Sequence, residues 1–565
     1  MTPAAFIAKW KPVELKERST AQTHFNDLCA LLGLDDPVTA DPKGDWFTFE
    51  KGASKTGGGE GWADVWRKGC FGWEYKGRHK DLEAANRQLK MYATALENPP
   101  LLVTCDTDRI VLRTNFTNTV EEIHALVLDD LLDGAKRDLL RAAFTEPDRL
   151  RPKQTRDALT AEAAAKFSTL ALRLRDRGHD PQVVAHFVNR LVFCMFAEDV
   201  RLLPDKLFQR MLEAARTAPA DFATHAATLF KAMRGGGLVG YDRVEWFNGG
   251  LFDDDTALPV DRFDIDELLA AARLDWSQID PSILGTLFER GLDPGKRSQL
   301  GAHYTDRDKI MKIVNPVVVE QLVAEWAETR ARIEALLAAA PQATAEKLLR
   351  GPDLAARTRV LNAAQALHRG FLDRLKAFRV LDPACGSGNF LYLALRALKD
   401  IEHRANLEAE ALGLPRGFPE VGPEAVRGIE LNPYAAELAR VSVWIGEIQW
   451  MRANGFDASR NPILRPLDTI ECRDAILNPD GTRAEWPEAD VVVGNPPFLG
   501  GKKMLSVVGD TYTSRLRRRR APRGRPRGVL GRHAGAHAAR AAGAGLVATN
   551  SIRGGANRRC WSACP

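Results

Sequence analysis

The sequence predicts a multidomain α/β protein whose later half is a doubly wound parallel sheet. Three observations carry this expectation. From residue 378 the chain reads strand, glycine-rich turn, helix, strand, helix, the order produced when parallel strands are joined by crossover helices. Residues 155–235 are rich in Ala, Leu, Arg and Glu, with apolar residues three and four apart, which fits helices packed side by side. The first hundred residues switch between helical and strand periodicity, the mark of a smaller α/β unit. At roughly 150 residues per domain, 565 residues accommodate three or four such units.

In the first unit, Ser19 and Gln22 form a capping-box pattern that opens a helix ending near Gly33. From Trp62 to Tyr75 bulky apolar residues alternate on either side of Arg67-Lys68-Gly69, predicting two strands joined as a hairpin. LEAANRQLKMYATAL (82–96) returns to helical spacing, and Asn98-Pro99-Pro100 stops it before the buried-strand run LLVTC. In the connector, Gly249-Gly250 marks a tight turn within the aromatic stretch VEWFNGGLF. A further helix is expected across 319–340, with Leu322, Trp326, Ile333 and Leu336 on one side.

Composition excludes several classes. Apolar residues make up 45% and charged residues 27%, so neither wholesale disorder nor a fibrous repeat fits. No stretch approaches the ~18 apolar residues of a membrane span, and the N-terminus lacks a signal-peptide pattern, so a cytoplasmic location with no membrane partner is expected. The eight cysteines (Cys29, Cys70, Cys105, Cys194, Cys385, Cys472, Cys560, Cys564) include no CxxC pair, which argues against a zinc site or disulfide framework. The net charge of +5 misleads, because residues 511–565 hold thirteen Arg and no Asp or Glu. Residues 1–510 therefore carry 66 basic against 74 acidic side chains, a net of −8, so any nucleic-acid binding by this part would have to come from a local basic groove.

Chemistry concentrates after residue 378. FRVLDPACGSGNFLYLAL begins as a strand, turns through Asp382, Gly386 and Gly388, and enters a helix near Asn389. Glycines there let a ligand approach the backbone, and an acid at a strand end can hold a polar cofactor group. There is no GxxxxGK[ST] lysine, so a P-loop is excluded. The next strand ends at Glu430, about forty residues on, where a carboxylate can accept both hydroxyls of a ribose. Asp474 falls at the following turn over the sheet edge, within reach of an adenine. Each acid alone is as well explained as a loop residue or helix cap; their order after the glycine loop is what singles them out.

ADVVVGNPPFLGG (489–501) is the decisive segment, a buried strand at 491–493 delivering Asn495, Pro496, Pro497 and Phe498 to the sheet edge. An exocyclic adenine amine is a poor nucleophile because its lone pair is delocalised into the ring. The Asn495 side-chain oxygen and the Pro496 carbonyl can accept both amine hydrogens and favour the geometry that attacks a methyl sulfonium. The diproline stiffens the backbone, and Phe498 offers a face for a base extruded from the duplex. DPACGSGNF, GIELNP and NPPF together resemble the S-adenosylmethionine-dependent N6-adenine DNA methyltransferases, a Rossmann-like class I fold. That resemblance adds Ala384 and Phe390 to the donor pocket, and LGAHYTD (300–306) is similar to the family's donor-proximal motif, which implies Tyr304 and Thr305. The implied partner is double-stranded DNA with a flipped adenine, with no obligate protein partner. The rival within this fold methylates a protein glutamine, since that class also uses Asn-Pro-Pro-aromatic.

If Trp73 to Lys76 is a strand, Glu74 and Lys76 share a face by the two-residue period, with Asp64 across the turn. Two carboxylates and a lysine suit Mg²⁺-assisted phosphodiester hydrolysis, with Asp64 and Glu74 as metal ligands and Lys76 orienting water or stabilising developing charge. A surface ion pair between Glu74 and Lys76 is the plainer reading. With the helical connector and the methyltransferase motifs, however, this D-x9-ExK arrangement resembles the MmeI-like type IIG, or IIL, restriction-modification enzymes over about residues 10–510. The resemblance implies a PD-(D/E)xK nuclease-like domain at 1–150, a helical connector at 151–290 and a methyltransferase domain at 291–510. Gln88 and Tyr92 also fit that family's nuclease arrangement, although helix packing explains Tyr92 equally well. Alternatives are a solitary methyltransferase with an inactive nuclease module, or a non-catalytic DNA-binding defence scaffold.

Residues 511–565 break the pattern. RLRRRRAPRGRPRGVLGRHAGAHAARAAGAG has almost nothing large and apolar to bury, so composition predicts disorder there, and Arg, Ala, Gly and Pro are what GC-rich codons give out of frame. Likeness to the family fades after GGKKMLSVVGDTY, returns at GLVATNSIRGGANR (545–558), where a late sheet strand is expected, and stops again. The reading is of a truncated or frame-shifted methyltransferase lacking a target-recognition domain. Its arginines would bind phosphates without sequence preference.

Overall fold

A computed structural model describes residues 1–13, 17–52, 62–78, 80–246, 250–283, 285, 307–341, 350–456, 467–496 and 543–547. They fall into two compact units. The first takes in Met1–Leu159 with Arg404–Gly417 and Trp450–Ala458; the second takes in Thr160–His403, Phe418–Gln449 and Ser459–Pro565.

The first unit is built on a six-stranded sheet in sequential order: β1 (Phe47–Lys51), β2 (Ala63–Arg67), β3 (Phe71–Tyr75), β4 (Leu101–Cys105), β5 (Arg109–Thr114) and β6 (Ile123–Val127). Only β3 and β4 pair in parallel; the other neighbours are antiparallel. β3 and β4 are central and buried at every position, so their sequences FGWEY and LLVTC run without polar alternation. Gly69, at φ +69°, closes the β2–β3 hairpin at the expected turn. One face packs Phe25, Phe71, Trp73 and Phe144, and the other packs Trp66 and Leu102 against Leu89 of the helix Leu82–Tyr92. Asp81 caps that helix by accepting from the Glu83 amide at 2.8 Å. The helix expected from Ser19 runs Glu17–Leu32, and it follows a shorter helix, Pro3–Trp10, that the sequence reading did not anticipate. Sequence periodicity missed β1, β5 and β6; β6 buries only Leu126, too little to leave an alternating signature.

The second unit contains the helices Pro181–Asp199, Leu207–Thr217, Phe222–Gly235 and Arg262–Ala272. Pro181–Asp199 is buried at every position from Val184 to Glu198, which explains its apolar character all round. The helical expectation overlooked a small antiparallel ribbon, β7 (Gly237–Val239) with β8 (Asp242–Val244). The expected helix across 319–340 is Glu320–Ala338, with Leu322, Trp326 and Ile333 buried and Leu336 half-buried. Just before it, Asn315–Val319 opens into a π turn around Pro316, whose missing N–H and bulky ring the regular helix cannot accommodate.

The same unit carries an all-parallel sheet of β9 (Val380–Asp382), β10 (Val426–Glu430), β11 (Ile470–Cys472), β12 (Val491–Gly494) and β13 (Gly543–Leu546), in the order β11-β10-β9-β12-β13. Strand order runs outward in one direction from β9 to β11 and in the other from β12 to β13, so the switch point lies between β9 and β12, where α/β sheets leave a crevice at the strands' carboxyl ends. β13 corrects the compositional reading of the tail. Gly543, Ala544 and Gly545 lie inside the stretch expected to lack structure, yet they pair with Val491, Val492 and Val493. Their smallness is the reason: a Cβ on Gly545 would come within 2.6 Å of Ile313 Cγ2 on the helix Arg307–Val314. The rest of 511–565, apart from Val547, lies outside the described residues.

Candidate functional site

Four successive strand ends deliver the residues singled out after position 378. β9 ends at Asp382, which is buried and accepts from the Ala384 amide at 3.0 Å. Burial, reinforced by the charge of Glu430, raises its carboxyl to about 7. The loop then folds onto β10: the Cys385 amide donates to the Ile429 carbonyl at 3.1 Å, and the Gly386 amide to Glu430 Oε2 at 2.9 Å. Gly386 and Gly388 adopt φ +53° and +85°. A Cβ on Gly388 would lie 2.8 Å from Ala439 Cα, so only glycine lets the helix Pro433–Ala453 approach this closely. Ala384 is half-buried in the loop, and Phe390 is buried in the first turn of the helix Asn389–Ala411.

Glu430 closes β10 with both oxygens engaged, Oε1 accepting from the Asn432 amide at 2.8 Å and Oε2 from Gly386. Burial raises its carboxyl above the usual range. Asn432 Oδ1 in turn accepts from the Tyr434 amide at 3.0 Å at the start of the helix Pro433–Ala453. Asp474 follows β11 and accepts from the Ile476 amide at 2.7 Å, the loop-capping role weighed for it from sequence. Asn495 and the buried Pro496 follow β12 directly. Pro497, Phe498, Tyr304 and Thr305 lie outside the described residues.

Sequence reasoning missed the residue that joins the two ends of this site. Gly494 has φ +148°, and a Cβ there would fall 2.4 Å from Asp382 Oδ1. The working motif is therefore Gly-Asn-Pro-Pro-Phe, and its glycine is the signal that was available. Leu431 was also missed: beside Glu430, its side chain is 66% exposed, an apolar surface at the mouth of a polar site. Gly428 belongs with them, because a Cβ there would come within 2.8 Å of Cys385 Sγ.

In the first unit the expected trio converges. The register Val65↔Trp73 sets Asp64 opposite Glu74, and Asp64 Oδ2 accepts from the Tyr75 amide at 2.7 Å. Lys76 Nζ donates to the buried Glu74 at 2.8 Å and to Gln88 Oε1 at 3.2 Å, so Gln88 joins the cluster from the helix Leu82–Tyr92. Tyr92 takes the packing role: its ring stacks on Trp62, its hydroxyl donates to Glu410 at 3.1 Å, and the Arg416 guanidinium covers its face. Among the described residues no group of three or more His, Cys, Asp and Glu is placed to hold a metal ion. A pair of carboxylates still fits Mg²⁺, which keeps waters and takes substrate oxygens for its remaining positions.

A glycine loop at a sheet switch point, followed by acids at the next strand ends and Gly494-Asn495-Pro496 at the end of β12, is the class I methyltransferase arrangement. The comparisons make this more particular. A family model for the MmeI DNA-methyltransferase domain matches residues 358–563, and one for the MmeI helicase spacer domain matches residues 182–252. The DNA-bound type IIL restriction-modification enzyme MmeI superposes with a TM-score of 0.50 at 24% identity, covering 71% of this chain and 52% of that one. Over its spacer and methyltransferase regions the chain is thus similar to the MmeI-like type IIL/IIG restriction-modification enzymes. DNA methyltransferase A of Bacillus subtilis (strain 168) is 28% identical over 359 residues, which is 58% of this chain and 36% of that protein. The chain thus spans about a third of the length of that curated relative. Among the described residues, no helix is long and apolar enough to cross a membrane.

Proposed function

We propose that this chain transfers a methyl group from S-adenosylmethionine to the N6 amine of an adenine flipped out of double-stranded DNA. The observation that supports this best is the convergence of Asp382, Glu430, Asp474 and Asn495 on the carboxyl edge of one parallel sheet. The residues fit the donor: glycines leave its approach open, Glu430 is held by two backbone amides that leave each oxygen a further lone pair for ribose hydroxyls, and exposed Leu431 offers an apolar surface for the base. Bound there, S-adenosylmethionine supplies an electrophilic methyl on a sulfonium. Asn495 and the Pro496 carbonyl accept the two amine hydrogens, and Gly494 keeps this turn against Asp382, tying the acceptor side to the donor loop. Incubating the chain with duplex DNA and methyl-labelled S-adenosylmethionine, then digesting to nucleosides, should put the label in N6-methyladenine. Label in methylcytosine, or in a protein glutamine instead of DNA, would overturn the substrate assignment.

We further propose that the first unit is a PD-(D/E)xK nuclease domain that cuts DNA with Mg²⁺, making one polypeptide both restrict and modify. The convergence of Asp64, Glu74, Lys76 and Gln88 favours it. Asp64 and Glu74 would hold the ion, and Lys76, anchored between Glu74 and Gln88, would face the attacking water. Pairing both activities protects the host, since methylating the recognised sequence marks its own DNA. Mg²⁺-dependent cutting of unmethylated DNA, lost on Lys76→Ala, is the expected result; DNA binding with neither cutting nor methyl transfer would favour a scaffold.

A further inference from the structure

The segment between the helical connector and the glycine loop is tied to the methyltransferase helices at three points. Tyr392 lies one turn into the helix that follows the loop, and its hydroxyl donates to Asp280, 2.8 Å from Oδ1 and 3.0 Å from Oδ2. Its side chain packs against the helix Pro433–Ala453, where a Cβ on Gly446 would come within 3.3 Å of Tyr392 Cδ2. From the next turn of that helix, the Gln449 side-chain amide donates to two carbonyls, Ser277 at 3.1 Å and Ile279 at 2.8 Å. Gly285 abuts the loop itself: a Cβ there would fall 2.1 Å from Ser387 Oγ. Asp280 is braced from its own side, its amide donating to Thr160 Oγ1 at 3.1 Å and its carboxylate accepting from the Ser282 amide at 2.9 Å.

These residues lie outside both matched domain regions, 182–252 and 358–563, in the case of Ser277 to Gly285. Ordinary linkers are not anchored by a buried tyrosine and a bidentate amide while pressing a glycine onto a cofactor loop. We propose that residues 277–283 together with Gly285 form a strap that fixes the donor loop, with Asp280, Tyr392 and Gln449 as positioning residues for S-adenosylmethionine binding. The inference rests on the donor site proposed above. Two of its bonds end on backbone carbonyls, so the strap's path is set by main-chain geometry, and Gly285 transmits that path to Ser387 by contact.

Calorimetric titration of S-adenosylmethionine into the full chain tests this. Tyr392→Phe keeps the ring on Gly446 and removes only the hydroxyl, so the melting temperature should hold while donor affinity falls about three- to tenfold, the range expected for one buried hydrogen bond. Asp280→Asn should give a similar loss, and the double variant should be little worse than either single, because both remove one contact. Gly285→Ala should weaken binding most, and adding Ser387→Gly should restore part of it by removing the atoms Ala would strike. Donor affinity within twofold of wild type in Tyr392→Phe, Asp280→Asn and Gly285→Ala, with the wild type binding normally, would overturn the strap and leave the donor site standing. No binding by the wild type itself would overturn both.

Discussion

The two candidate sites are built in different ways. At the switch point of the parallel sheet, main-chain groups do most of the positioning: amides of Ala384, Gly386 and Asn432 hold the carboxylates, and Gly388 and Gly494 bring backbone into van der Waals contact. On the mixed sheet of the first unit, side chains hold one another, Lys76 bridging Glu74 and Gln88, with one backbone amide on Asp64. A site made of backbone is rigid before its ligand arrives and intolerant of an added Cβ. A site made of side chains depends on the presence of each partner and tolerates changes in the loops around it.

This contrast orders the expected effects. Asn495→Ala should reduce methyl transfer by roughly a hundred- to a thousandfold while donor binding stays intact, as for removal of one positioned catalytic hydrogen-bonding group; loss of donor binding in the same variant would blur the division between acceptor turn and donor loop. Lys76→Met should lower Mg²⁺-dependent cleavage by about a hundredfold, the scale of a single charged group in an active site, and leave methyl transfer unchanged. It also removes the ammonium that sits 2.8 Å from the buried Glu74, so a melting curve should accompany the assay. Gly494→Ala should cost about 1–3 kcal/mol of stability from backbone strain alone, with further loss from the approach to Asp382. Tolerance of alanine there would mean that the two ends of the site are not in contact.

A further effect is one of pH. The folded-state carboxyl of Asp382 sits at about 7, above the ordinary 3.8. A folded value raised in this way favours the protonated form, so its contribution to stability is complete below about pH 4 and disappears as pH rises through 7. Thermal melts from pH 4 to 8 should show a decline that levels off above 7 and is absent in Asp382→Asn. An identical profile in both proteins would remove Asp382 as the titrating group.

The same contrast explains what could be read before the fold was known. β9, the glycine loop, Glu430 and Asn495 were legible because their chemistry is packed into short strings whose order follows the sheet. Glu74 and Lys76 were legible from strand periodicity, but Gln88 depends on how a helix crosses the sheet and was reached only through family resemblance. Gly494, Gly428 and Gly285 escaped notice because a glycine's purpose lies in what approaches it from elsewhere in the chain. Composition failed at β13 for a related reason: the GAGL run has little apolar surface of its own, yet it pairs with β12, and at Gly545 the approach of Ile313 leaves no room for a Cβ.

One titration bears most directly on the division into a donor site and a separate nuclease site. S-adenosylmethionine binding should be measured by calorimetry for the wild-type chain, Glu430→Ala and Lys76→Ala under one set of conditions. The carboxylate of Glu430 would contribute charged hydrogen bonds to the ribose, so its loss should weaken binding by about thirtyfold or more, while Lys76→Ala should match the wild type. Equal binding by wild type and Glu430→Ala would contradict the account, because it would place the donor somewhere other than the carboxyl edge of the parallel sheet.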